Sequence, residues 1–198
     1  MLPRVHSLLG VVPLGAYLIW HVYATWPALH DREAWVDRAL HGPSRGLVIA
    51  CVLLPLALHA VLGGVRLRRV VPDDLTGPRG LRLLQAATGL LGLVFVAYHL
   101  QQVWAVSEGP HSVPRASYAV LWRALGQPLD LTLYLIGITA LCFHLAHGVS
   151  RAAVTFRLAR TPRAVQRWRI GASALGFALW LAWLQLLGHF ALGASLIG

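Results

Sequence analysis

DLTLYLIGITALCFHLAHGVSR, residues 130–151, decides the fold. Between Asp130 and Arg151 it holds no acidic residue, lysine or arginine, yet it contains His144 and His147. A helix needs ~20 apolar residues to cross a hydrocarbon core of ~30 Å, and this stretch meets that length. Four more stretches do the same, at 6–26, 46–66, 82–105 and 169–192. Arginine, proline or acidic residues bound each of them. The composition agrees: 57% of residues are hydrophobic and 12% charged, with a mean hydropathy of +0.63. Soluble domains carry about 25% charged residues. The expected fold is an all-α membrane protein, a bundle of five transmembrane helices forming one transmembrane domain over residues 1–198.

The charge of +10 comes from seventeen arginines and no lysine. They lie between apolar spans rather than in an aromatic-rich patch, so membrane topology accounts for them and nucleic acid is not an expected partner. Arg4, Arg66, Arg68, Arg69, Arg79, Arg82, Arg151, Arg157, Arg160, Arg163, Arg167 and Arg169 fall on one side. Arg32, Arg38, Arg45, Arg115 and Arg123 fall on the other. Basic residues concentrate on the cytoplasmic side, which places the N-terminus inside and the C-terminus outside. The first span has no small-residue cleavage signal and contains a histidine, so it is expected to be retained. Cys51 and Cys142 lie inside apolar runs without metal or disulfide spacing and are expected to pack. In the outer connection 27–45, Asp31 to His41 has Trp35, Val36, Ala39 and Leu40 at helical spacing. This suits a short interfacial helix, with a plain loop as the alternative. Pro13 and Pro55 are expected to bend the first two spans.

Ionisable residues inside a span are costly and point to function. His21, His59, His99 and His144 each fall in a separate one of the first four spans. At 1.5 Å per residue, His21 lies ~20 Å and His99 ~25 Å from the inner ends of their helices. His59 and His144 lie ~20 Å along helices that enter from the opposite side. The four therefore sort into an outer layer, His21 and His99, and an inner layer, His59 and His144, ~10–15 Å apart. Two imidazoles from different helices complete the iron of a six-coordinate haem, so each layer suits one b-type haem. No acidic residue lies inside a span to make a carboxylate-rich metal site instead.

His59 with Gly63, and His144 with Gly148, share an H-x-x-x-G spacing in which a missing side chain lets a flat ring approach the backbone. Gly10, Gly15, Gly89 and Gly92 are expected to serve the outer layer or helix packing. His147 competes with His144, which is preferred for its shared spacing. His189 is either an interfacial polar residue or part of a quinone pocket. His30, His41 and His111 are expected to be solvated.

RVHSLLGVVPLGAYLIWH (4–21), LLPLALHAVLGG (53–64), LLQAATGLLGLVFVAYH (83–99) and GITALCFHLAHG (137–148) occur in this order. Together they resemble the di-haem cytochrome b anchors of succinate dehydrogenases and fumarate reductases, of the single-subunit, five-helix type. The resemblance covers almost the whole chain. It implies that His59 and His144 hold the iron of a proximal haem and His21 and His99 that of a distal haem. It implies cytoplasmic flavoprotein and iron–sulfur partners, electron transfer through both haems to a quinone (menaquinone in such members), and a place in the tricarboxylic acid cycle. The subunit would not act on succinate alone, and no catalytic residue is assigned. The reverse direction, fumarate reduction with quinol, uses the same parts. Some fumarate-reducing members carry a glutamate two residues before the fourth ligand as a proton carrier. Here that position is Cys142, which cannot carry a proton in the same way.

His6, Ser7, Gln85 and Arg151 are candidate partners of the proximal haem's carboxylates, since arginine pairs well with that group. Asp31, Glu33, Asp37, Glu108 and Asp130 are candidates for quinone-linked protonation, and nothing in the sequence singles one out. Two other readings remain at this point. One is the cytochrome b subunit of another quinone-linked enzyme, such as a hydrogenase or formate dehydrogenase. The other is a haem-free structural anchor or small transporter.

Overall fold

The structure, a computed structural model, describes residues 2–67, 79–104 and 113–193. Arg68, Arg69, Ala105, Glu108 and His111 lie outside them. Every regular element among the described residues is a helix, with no strand among them. Five helices are long and apolar enough to cross a membrane: α1 (Leu2–Leu29), α3 (Arg45–Val65), α4 (Gly80–Trp104), α6 (Pro128–Thr155) and α7 (Pro162–Leu192). Two shorter helices, α2 (Arg32–Leu40) and α5 (Val113–Leu125), connect them. Both sit at the end of the bundle opposite the N-terminus, called here the far end.

Proline shapes the first two spans locally rather than through a simple bend. A proline inside a helix lacks an N–H and crowds the carbonyl one turn back. Helix α1 answers by widening into a π-helical turn at Gly10–Leu14, which contains Pro13. Helix α3 does so at Ile49–Leu53, just before Pro55. Such single wide turns keep the helix running while the register shifts. Helix α1 then ends in a tight 3-10 turn, Trp26–Leu29, whose first turn contains Pro27.

Helix α7 begins seven residues before the expected start at 169. Thr161 caps it by accepting the Ala164 N–H at 3.2 Å, and Pro162 opens the first turn. Arg163, Arg167 and Arg169 lower the hydropathy of that first stretch without breaking the helix. At the other end Gly193 takes a positive φ of 68°. A left-handed residue there costs glycine nothing and closes the last turn.

The connection 27–45 does contain a helix. Asp31 caps α2 by accepting the Ala34 N–H at 2.7 Å. Trp35 and Val36 are buried, and Trp35 meets Tyr118 of α5 edge-on at 5.5 Å. Helix α5 was not anticipated from the sequence. Its Leu121 and Leu125 join the same core cluster as Ala28 and Phe190. Together α2 and α5 cover the far end.

Large apolar side chains face outward on the spans, among them Leu54, Leu58 and Val61 on α3, Leu90 and Val94 on α4, and Phe177 and Leu181 on α7. In water such a surface would be unfavourable; against lipid it is the expected exterior. Helix α6 is central and packs against α1, α4 and α7. Small residues allow the approach: a Cβ on Gly176 would stand 2.7 Å from the Ala146 Cβ and 3.0 Å from the Cys142 carbonyl. Cys142 is a buried packing residue in this contact, whereas Cys51 is exposed.

Candidate functional site

The bundle brings four of the intramembrane histidines together in two pairs. His59 of α3 and His144 of α6 have ring centroids 6.0 Å apart at an interplanar angle of 89°. His21 of α1 and His99 of α4 have centroids 6.1 Å apart at 61°. The first pair lies toward the N-terminal end and the second toward the far end.

Three of the four imidazoles have their tautomer set by a neighbour. A carbonyl can only accept, so the ring nitrogen beside it must carry the proton. His59 Nδ1 donates to the His6 carbonyl at 2.8 Å. His144 Nδ1 donates to the Gln85 carbonyl at 2.9 Å. His99 Nδ1 lies 3.0 Å from the Tyr134 hydroxyl, whose own proton goes to Gln102 Oε1 at 2.8 Å, so the histidine donates here too. Each of these neutral rings therefore keeps the Nε2 lone pair for a ligand. Metal-bound histidines have this arrangement, with the other N–H held by a carbonyl or side chain.

Glycine gives the near-pair rings their room. A Cβ on Gly89 of α4 would stand 2.7 Å from His144 Cε1 and 3.0 Å from its Nδ1, and one on Gly10 would collide with the His59 ring. Gly10 belongs to the π-helical turn, which carries it against α3. Gly10 and Gly89 thus sit with the near pair, not the far one, because α1 and α4 each present a bare backbone one or more turns before their own histidine. The two H-x-x-x-G glycines meet other groups. A Cβ on Gly63 would approach His6 Nε2 at 3.2 Å, and one on Gly148 would meet Gln85 Nε2 at 3.8 Å.

His147 does not face His59. Its Nδ1 meets Gln85 Oε1 at 2.9 Å, and Gln85 Nε2 donates to the His144 carbonyl at 3.0 Å. Gln85 thereby ties both histidines of α6 to α4. His6 stacks on His59 with centroids 4.0 Å apart and planes 22° apart. Ser7 and Arg151 are half-buried at this end of the bundle. At the far pair, Tyr17 stacks on His21 at 5.4 Å and Trp183 of α7 lies 5.2 Å away. Helix α7 thus contributes a wall, though no histidine to either pair. His189 instead meets the Tyr118 hydroxyl at 3.3 Å and the Trp122 ring edge-on, fastening α5 to α7.

The pairs fit a haem. With metal–nitrogen bonds of ~2 Å and ring centroids ~1 Å behind the nitrogens, two axial imidazoles have centroids ~6 Å apart. The stacked His6 ring is too close to His59 to be its partner across an iron. Among the described residues no group of three or more His, Cys, Asp or Glu is assembled for a bare metal ion.

At the far end, a cleft of about 260 Å³ opens between α1 and α2, lined by Trp20, Tyr23, Asp37, Arg38, His41 and Gly42. Arg38 hydrogen-bonds the Tyr23 hydroxyl and its guanidinium lies 4.6 Å from that ring's centroid. Trp20 at the cleft meets His21 at 6.4 Å. The acidic candidates divide here. Asp31 is spent on capping, Glu33 pairs with Arg32 at 3.6 Å, Asp37 lies 3.7 Å from His41 Nδ1, and Asp130 accepts the Tyr98 hydroxyl.

Neither a protein-family model nor a solved structure matches the chain. A curated relative, the succinate dehydrogenase cytochrome b558 subunit of Bacillus subtilis (strain 168), is 32% identical over 169 residues. The match covers 81% of each chain. Five apolar helices and this relationship make the protein a multi-pass membrane protein. The chain belongs to the family of succinate dehydrogenase cytochrome b subunits.

Proposed function

We propose that the chain is the membrane anchor of a succinate:quinone oxidoreductase, a single transmembrane unit that holds two b-type haems. His59 and His144 would hold the proximal one and His21 and His99 the distal one. The observation that carries this reading is the pair of 6.0 and 6.1 Å imidazole separations, built from four different helices. When bound, the haems supply two one-electron carriers in series across the bilayer.

The chain's own residues orient and shield these sites. The carbonyls of His6 and Gln85 hold two ligand rings as Nδ1–H tautomers, and Tyr134 holds a third. Gly10 and Gly89 admit the near rings at backbone distance. Ser7, Gln85 and Arg151 surround the near end as candidates for binding haem carboxylates, with the arginine the strongest donor. The arginine bias toward the N-terminal end supports a cytoplasmic position for that end in a bacterial inner membrane, where its cations would face an iron–sulfur subunit joined to a flavoprotein that acts on succinate. The C-terminus lies outside. The far cleft suits a quinone by its chemistry: Trp20 gives an apolar wall, and Arg38 and Tyr23 give donors on the side of His21. Menaquinone is the quinone proposed.

The test is a potentiometric titration of the b-type absorbance of the membrane-bound complex, with succinate and menaquinol analogues as reductants. Two resolved one-electron steps are expected. Replacing His59 or His144 by alanine should abolish one step, and replacing His21 or His99 the other. A purified complex without a b-type spectrum, or retention of both haems in all four variants, would overturn the proposal.

A further inference from the structure

The four histidines are not held alike. The near-pair rings donate to backbone carbonyls, which are neutral. His99 donates instead into a row of side chains that ends on a carboxylate. Tyr98 and Gln102 come from α4, one turn apart, and Tyr134 and Asp130 from α6, also one turn apart. Residues spaced by four share a helix face, so the two antiparallel helices interleave their polar groups.

The direction of every bond follows from the last member. Asp130 as a carboxylate only accepts, and it takes the Tyr98 O–H. The Tyr98 oxygen then accepts from Gln102 Nε2 at 2.6 Å. With its nitrogen committed, Gln102 presents Oε1 to the Tyr134 O–H at 2.8 Å. The Tyr134 oxygen is left to accept from His99 Nδ1–H at 3.0 Å. All four donors point the same way, from the imidazole toward the carboxylate. Tyr134 is 4% exposed, so water does not compete for its hydroxyl. Asp130 lies in the first turn of α6, where the helix dipole favours a negative side chain.

We infer that the Tyr134–Gln102–Tyr98–Asp130 row is a positioning relay. It fixes the ring of His99 and gives it anionic character, making the far site electronically different from the near one. Aligned hydrogen bonds polarise one another, and a carboxylate behind a ligating histidine raises its basicity. A more basic axial ligand favours the oxidised iron, so the relay holds the far site at a lower potential than a carbonyl would. The inference rests on the proposed haem ligation. It adds that Asp130, alone among the outer acidic candidates described, is wired to a ligand.

The experiment is a potentiometric titration of the full complex in membranes, with the b-type absorbance resolved into two steps. The far step is identified as the one lost in His21→Ala. In Tyr134→Phe the far step should move to higher potential while the near step stays. Asp130→Asn, which removes the charge while keeping the side chain's size and an oxygen to accept the Tyr98 O–H, should move it the same way. The largest g-value of the far low-spin signal in electron paramagnetic resonance should change with it, and Thr132→Ala on the same helix should change neither. If Tyr134→Phe loses its far haem, Asp130→Asn decides. An unmoved far step in Asp130→Asn with an unchanged g-value, or equal displacement of both steps, overturns the relay alone. A wild-type complex without two b-type steps overturns the proposed function together with it.

Discussion

Replacing Gly89 by alanine tests whether the near histidine pair works as a haem seat. The new Cβ would stand 2.7 Å from His144 Cε1, whereas ordinary contact begins at 3.4 Å. The ring, or α4, must therefore retreat by about 0.7 Å. The backbone at Gly89 is held in α4's ladder of hydrogen bonds whereas the imidazole turns about single bonds, so the ring gives way. A shift of that size stretches the 2.9 Å bond from His144 Nδ1 to the Gln85 carbonyl beyond a useful hydrogen bond. The substitution adds helix propensity of about 1 kcal/mol, and overpacking costs about 1–3 kcal/mol. The fold should survive, and the damage should fall on the site. Haem content of the purified complex, read from reduced-minus-oxidised difference spectra, should fall toward half, with the step assigned to His59 and His144 lost or displaced. Gly171→Ala is the control, because nothing lies within 4 Å of its Cβ position. Full haem content and unchanged potentials in Gly89→Ala would refute the argument that bare backbone at Gly89 is needed to seat the ring.

Trp180→Phe removes the indole N–H that donates to Thr139 Oγ1 at 3.0 Å between α7 and α6. Bonds of this kind between membrane helices are worth about 0.6 kcal/mol, so a small drop in the thermal midpoint in detergent is expected, with haem spectra unchanged. Arg38→Ala takes away both the hydrogen bond and the cation–π contact with Tyr23. Quinone reduction by the complex should show a several-fold higher KM, while the b-type absorbance stays; an unchanged KM would remove the cleft from consideration. Burial raises the Tyr118 hydroxyl above its ordinary pKa, with Arg32 pulling it down and Asp31 pushing it up. The neutral form is thus favoured in the fold. Its contribution is complete below the unfolded value near 10 and is lost as pH rises above that. Tyr118→Phe should flatten the alkaline fall in thermal stability, measured between pH 9 and about 11.

The number of spans, their approximate limits and the four histidines that pair were legible in the sequence. Hydropathy over ~20 residues and a fixed rise per residue carry that information without knowledge of neighbours. The pairing itself followed from depth: His21 and His99 lie at similar depths on helices that enter from one side, and His59 and His144 at similar depths on helices that enter from the other. Helix α5 and the early start of α7 were not legible. Arginine and other polar residues keep their hydropathy ordinary, and their helical state depends on caps and on packing against α2 and α6.

What only the tertiary structure decided concerns relations between helices. His144 and His147 lie one turn apart on α6, and the sequence spacing favoured the first through a glycine motif. In the fold, the choice is made by rotation: His144 turns toward His59 and His147 toward Gln85. The glycines that admit the near rings, Gly10 and Gly89, come from other helices than the rings themselves, and the π-helical turn that contains Pro13 also contains one of them. The row from His99 to Asp130 alternates between two helices and has no linear signature. A one-dimensional pattern records depth and polarity, because lipid acts on each residue separately. It does not record which faces meet, because that is set by the packing of pairs.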